Sequence, residues 1–262
     1  MKLYKISILF FLVFVVSSCT ERFDEINKNP LLTTSSEASA KFFLTTTQAE
    51  LYGPDRFSYW RAQLIHADRY AGQFTFGSAG SWWSDELSYS YNGGYTDATW
   101  DWLANYFTTL NTYINLTNAD GDFANEKMYA VGLIMKGLYY QLYTDTFGEI
   151  PYSGNGGEEG ILPKFDTQHD IYKGIIDELD KAMAIIGDSD NTSDIPGDVN
   201  DLSANDLFFN GNLQMWKKLA NSLKLRIAMR ANGASGDDFS SAALNSIKSV
   251  GHIFLPFSYD SQ

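Results

Sequence analysis

The chain has 262 residues and a net charge of −13, with 32 acidic side chains, 19 basic ones and a single cysteine. A chain of this length can bury roughly 70–75% of its unfolded surface, so one large core suffices and no disulfide or metal staple is needed. The charge repels nucleic acid and anionic lipid, and the sequence offers no basic cluster to an anionic ligand.

The N-terminus reads as a leader. Met1 to Lys5 is basic, and Ile6 to Val16 is an apolar run of eleven residues, too short to span a bilayer comfortably. Val16-Ser17-Ser18-Cys19 then reads as a lipobox, in which small residues precede the only cysteine. The competing reading is an ordinary small-residue cleavage site with a cysteine nearby. On the lipoprotein reading residues 1–18 are a signal peptide and cleavage exposes Cys19, which takes acyl chains, palmitate among them. Several chains anchor firmly where one does not. A body without further cysteine also suits an extracytoplasmic site.

Residues 19–35 read as a tether, with solvated Glu21, Asp24 and Glu25 and a turn at Asn29-Pro30. The body, residues 36–262, opens with a predicted helix from Ser36 to Tyr52, capped by Ser35 or Ser36. A second covers Phe57 to Gln73, with Trp60, Leu64, Ala67 and Ala71 at helical spacing. Residues 74–96 read as an irregular loop. The third helix, Asp97 to Thr117, carries a stripe of Trp100, Leu103, Phe107, Leu110 and Ile114. The fourth, Glu126 to Tyr143, has one stripe of Ala130, Leu133, Ile134, Gly137, Leu138 and Leu142. Tyr129, Val131, Met135 and Tyr139 make its other side apolar too, so it should be central and buried nearly all round. Gly132 and Gly137 cost helix stability unless neighbours approach closely there.

A stop follows at Thr144 to Ser153, where Gly148 permits a turn and Pro151 biases Ile150 towards extended backbone. Residues 154–165 are an acidic, Gly-rich loop. Thr167-Gln168-His169-Asp170 is a capping-box pattern for a fifth helix with Tyr172, Ile175, Ile176, Leu179, Met183 and Ile186 inward, ending at Gly187. A polar loop spans 188–209. Asn210-Gly211-Asn212 opens a sixth helix, with Trp216, Leu219, Ala220, Leu223 and Ile227 inward, and Asp237 or Asp238 caps a seventh. Seven predicted helices with few strand signals make the fold class all-α, a stack of helix pairs with long loops.

Aromatics are the loudest functional signal. Five of the six Trp lie between positions 60 and 102, and Trp82-Trp83, Tyr89, Tyr91 and Tyr95 are interleaved with Gly, Ser and Asn. Flat rings suit the C–H faces of sugars, and nearby polar groups suit hydroxyls. Trp82, Trp83 and Tyr91 are therefore ligand-binding candidates, with Asp85 as an acceptor for sugar hydroxyls. The competing reading folds the rings inward to plug the loop and leaves Asp85 and Glu86 solvated. Trp100 falls on the helical stripe and is assigned to the core.

The sequence gives little support for catalysis. His66, His169 and His252 form no zinc-type pair, and no Gly-x-Ser-x-Gly elbow or phosphate-cradling Gly loop with Lys occurs. Asp188-Ser189-Asp190 with Asp194 hints at calcium but departs from the EF-hand pattern at Ser193 and Val199. No catalytic residue, metal ligand or cofactor is assigned.

Thr144-Asp145-Thr146-Phe147-Gly148-Glu149-Ile150-Pro151-Tyr152-Ser153 resembles a segment of the SusD/RagB-like outer-membrane lipoproteins of Bacteroidetes. Three further matches follow in the family's order: Pro163-Lys164-Phe165-Asp166, Ile171-Tyr172 through Leu179-Asp180-Lys181-Ala182, and Trp216 through Asn221-Ser222-Leu223-Lys224-Leu225-Arg226. The resemblance implies a degenerate tetratricopeptide-type scaffold and no bond-breaking. It implies a lipid-anchored protein on the cell outer membrane that binds a glycan or similar nutrient and passes it to a SusC-like TonB-dependent porin. It also implies that the chain corresponds to the N-terminal half of such a protein. The Asn221–Arg226 run reads as architecture, with Arg226 forming a buried bidentate pair with a carboxylate such as Asp145 or Glu149. Two alternatives stand beside this: an all-α surface glycoside hydrolase, and a helical-repeat scaffold that binds only protein.

Overall fold

In a computed structural model of the chain, the structure describes residues 39–52, 67–73, 93–154 and 163–249. The described helices are α1 (Lys41–Tyr52), the single turn α2 (Asp68–Tyr70), α3 (Gly93–Thr117), α4 (Glu126–Phe147), α5 (Gln168–Ile186), α6 (Leu213–Ala231) and α7 (Ser240–Ser249). Two-residue strands β1 (Ile150–Pro151) and β2 (Phe165–Asp166) pair antiparallel, Ile150 opposite Asp166 and Pro151 opposite Phe165. The all-α class read from the sequence holds. Cys19, the candidate residues Trp82, Trp83, Asp85 and Tyr91, and most of the predicted second helix lie outside the described residues.

Helix α4 is the centre of the stack, packing against α1, α3, α5 and α6. Asn125 caps it, its side-chain oxygen accepting from the N–H groups of Lys127 and Met128 at 3.0 Å each. Val131 to Met135 and Gly137 to Gln141 are buried, as the apolar pattern on both sides of the helix required. Its two interior glycines sit at close approaches. A Cβ on Gly132 would lie 3.0 Å from Ile114 of α3, and one on Gly137 would lie 3.2 Å from Ile175 and Leu179 of α5. Leu142, expected inward, is 41% exposed.

Three boundaries differ from the sequence reading. Helix α1 begins at Lys41 because Ser39 caps it, its Oγ accepting from Lys41 N at 3.3 Å and donating to Val199 O at 2.6 Å. Helix α3 begins at Gly93 and buries Thr99, Leu103, Tyr106, Leu110, Tyr113 and Thr117, a stripe offset from the expected one. Thr99 and Thr117 are tolerated inside because their hydroxyls donate to Tyr95 O and Tyr113 O in their own helix. Helix α4 runs four residues past Tyr143 to Phe147. Downstream, Thr167 caps α5, Asn212 caps α6 and Asp237 caps α7.

The segment between α5 and α6 is a hydrogen-bonded connector. The Asp201 carboxyl is lowered to about 2 by the Ser203 hydroxyl and then the N–H groups of Gly197 and Ser203. Asp206, buried, is its junction with the helices. Its Oδ1 accepts from Gln48 Nε2 of α1 at 2.7 Å and Phe208 N at 3.0 Å, and its Oδ2 from Gly211 N at 2.9 Å and Trp216 Nε1 of α6 at 2.8 Å. Phe208 stacks on Trp216 and Phe209 meets it edge-on. Replacing Asp206 by Ala strands four donors in an apolar setting. The expected cost is about 3–5 kcal/mol, read from denaturant unfolding; a loss under 1 kcal/mol would show that water or relaxation satisfies those donors.

Candidate functional site

The residues of highest chemical interest gather where α4 ends. Gly148, at φ 77°, donates its N–H to Thr144 O at 2.7 Å, while the Thr144 hydroxyl donates to Gly148 O at 2.6 Å. Gln168 of α5 also donates to Thr144 O, at 3.0 Å. The chain then turns into β1 and is caught by Asp166. That buried carboxylate accepts from Tyr152 N at 3.1 Å, Ser153 N at 2.6 Å and Ser153 Oγ at 2.8 Å, and pairs with Lys164 Nζ at 3.1 Å. Burial pushes the Asp166 carboxyl up. The bonds from Ser153, Lys164 and Tyr152 outweigh burial and hold it below the usual carboxylate range.

Tyr152 lies beneath Lys136, whose Nζ is 4.7 Å from the ring centroid and 2.5 Å from Glu178 Oε1. A Cβ on Gly174 would come within 2.5 Å of Tyr152 Cε1, so α5 is shaped to receive this ring.

On one side of the turn is an aromatic shelf. Trp100 meets Tyr143 and Phe147 edge-on at 5.1 Å each and stacks with Phe165 at 6.2 Å. Trp100 packs on the core as expected, but Phe165 is 51% exposed while its neighbour Asp166 is buried. A reading by hydrophobicity would reverse that pair. The strand alternation and the backbone donors that Asp166 must satisfy decide it.

On the other side is a cleft of about 440 Å³, lined by Asp145, Gln168, His169, Tyr172, Arg230 and Phe239 among others. The Tyr172 hydroxyl donates to Asp145 Oδ1. Burial and then this bond push the phenol up, so it stays a donor at neutral pH. Arg230 Nη1 lies 3.3 Å from Asp145 Oδ2. His169 Nε2 is 2.9 Å from Asp238, and its bonds to Asp238 and Asp170 push its pKa up. The carboxylate pair expected for Arg226 is corrected: Arg226 is exposed, and its Nε donates at 2.7 Å to Oε1 of buried Gln141, with Nη2 on the same oxygen. Asp145 is instead held by Tyr172 and by Arg230, one helical turn further on. The architectural reading of the Asn221–Arg226 run is supported by buried Lys224, whose Nζ lies 2.5 Å from Asp180 of α5. Among the described residues, no cluster of three or more His, Cys, Asp or Glu stands ready for a metal, and no helix is long and apolar enough to cross a membrane.

The body defined by these elements is a stack of helix pairs of the tetratricopeptide-like class, closed at one end by the Thr144–Ser153 turn. Residues 33–254 match the SusD-like family described as starch-binding and associating with the outer membrane, and the chain belongs to that family. Among solved structures, it is similar to a chitin-binding protein at 30% identity and a TM-score of 0.66, over 85% of this chain and 44% of that one. A SusD homologue from Bacteroides vulgatus aligns at 25% identity and TM-score 0.64, over 80% of this chain and 41% of that one. A chitin-binding SusD homologue from Flavobacterium johnsoniae shares the fold at 20% identity and TM-score 0.68, over 82% and 43%. The chain spans less than half the length of these solved relatives. Comparison with curated proteins gives no match.

Asp166 generates a pH prediction. Its folded pKa is depressed, so its stabilisation is complete above the unfolded carboxylate value of about 3.9 and is lost as pH falls through the folded value. Asp166→Asn should cost about 1.5–3 kcal/mol at neutral pH, since an amide nitrogen cannot accept from Ser153. The variant's stability should also vary less with pH in that acidic window. Equal acid-limb slopes in thermal unfolding of the two proteins would contradict this role.

Proposed function

We propose that this protein captures a glycan at the outer face of the outer membrane and passes it to a SusC-like TonB-dependent porin without breaking a bond. The observation that carries the reading is family membership over residues 33–254, and a chitin-binding relative at 30% identity supports it. The residues offered for capture are Trp82, Trp83 and Tyr91, with Asp85 accepting sugar hydroxyls, and the exposed Phe165 stacked on Trp100 offers a further ring. Individual sugar contacts are weak, so oligomers engaging several rings are preferred. A surface hydrolase would need two carboxylates facing across a cleft, roughly 5–9.5 Å apart. Of the two described acids that line the cleft, Asp145 and Asp237, the second is taken up by the N–H groups of Phe239 and Ser240 at the start of α7, which weighs against that alternative.

Calorimetric titration with chitotriose, maltotriose and mixed tripeptides tests the reading. Saturable oligosaccharide binding is expected, and Trp82→Ala with Trp83→Ala should cost about 2 kcal/mol, roughly thirtyfold in Kd. Binding of peptides but not sugars would overturn the glycan assignment. The anchor is tested separately in the source bacterium: Cys19→Ala should move the protein from the membrane to the soluble fraction and abolish palmitate incorporation.

A further inference from the structure

Asp145 and Arg230 line both the cleft of about 440 Å³ and a second depression of about 310 Å³, whose walls include Leu51, Leu138 and Leu142. Their ion pair therefore stands on the divide between a polar hollow and an apolar one. The pair is loose: the contact is 3.3 Å, and the Arg230 side chain is 56% exposed. A guanidinium has five N–H donors and a carboxylate about four acceptor positions. Among the described residues, the ion pair draws on one nitrogen of Arg230, and Asp145 accepts from Tyr172 and Arg230. Both groups keep capacity for a ligand, and the partly buried bond from Tyr172 fixes the carboxylate's orientation.

A neutral sugar matches this arrangement. Vicinal hydroxyls both donate and accept, so one donates to Asp145 while its neighbour accepts from Arg230. The apolar C–H face of an adjoining ring has Leu142 to rest on, which is 41% exposed, and Phe239 supplies an edge on the polar side. An anionic ligand meets opposition: Asp145 and Asp237 line the cleft, and Asp170 and Asp238 flank His169.

We propose that the two adjoining depressions form a neutral-oligosaccharide subsite in which Asp145 and Arg230 grip a vicinal diol. This deepens the glycan-binding reading and rests on it. The site selects sugars with a free diol on each ring. Maltotriose has one, whereas the acetamido group of chitotriose removes it from the inner ring.

The test follows Arg230 side-chain and Ala234 main-chain NMR signals of the full chain during titration with maltotriose, chitotriose and trigalacturonate. Saturable shifts are expected with maltotriose and weaker ones with chitotriose. Arg230→Gln, at an exposed position, should weaken maltotriose binding at these signals by about tenfold. Ala234→Trp, which fills the cleft without touching the ion pair, should abolish it while leaving the thermal midpoint within a few degrees. Unchanged binding in both variants, or a preference for trigalacturonate, overturns the proposal. Maltotriose shifts confined to residues outside the cleft overturn the subsite and leave the glycan reading standing. Absence of sugar binding anywhere on the chain overturns both.

Discussion

Helix α4 meets packed side chains on nearly every side, and that enclosure dictates how the chain can leave it. The last carbonyls of any helix lack intrahelical donors, and here they cannot turn to bulk water on most faces. Gly148 and Gln168 both donate to Thr144 O, so the carbonyl is satisfied from two directions. Asp166 then supplies the acceptor that the emerging N–H groups of Tyr152 and Ser153 need. With those bonds made, the turn becomes rigid, β1 and β2 can pair, and α5 starts from a fixed point at Thr167. The close approaches at Gly132 and Gly137 belong to the same constraint, since larger residues there would push α3 and α5 away from α4.

The parts of this arrangement that were legible in the sequence are those set by local chemistry or strong periodicity. Apolar residues on both sides of the fourth helix announced a buried centre. Thr167, Asn212 and Asp237 announced helix starts because their side chains bond a main-chain N–H two or three residues on. What stayed hidden depends on partners distant in sequence. Asp206 looks like any loop acid until Gln48 and Trp216 are brought to it, 158 and 10 residues away. Arg226 and Arg230 are equivalent on paper, one turn apart. Only the placement of Gln141 and Asp145 on α4 sorts which guanidinium takes the amide and which the carboxylate. Phe165 faces outward for the same reason, since Asp166 is claimed by donors on another segment.

The same division holds for the candidate site. The aromatic excess between residues 60 and 102 made a sugar-facing surface the leading expectation, and its candidates Trp82, Trp83, Asp85 and Tyr91 lie outside the described residues. The structure adds an exposed Phe165 stacked on Trp100, on a motif far along the chain. The sequence lacked any sign that Asp145 would end up between two hollows, because that depends on how α1, α4, α5 and α6 converge.

A motif can therefore close a helix and line a cleft at once. Thr144 is buried and closes the helix, whereas Asp145 beside it is partly exposed and lines a cleft. The two duties are compatible because adjacent helix positions point about 100° apart, so the residue that satisfies the backbone and the residue that meets solvent need not compete. The stiffness required to end a buried helix also holds the Asp145 carboxylate in place, aimed by the Tyr172 hydroxyl. A carboxylate held in this way has little conformational freedom left to lose to a further partner.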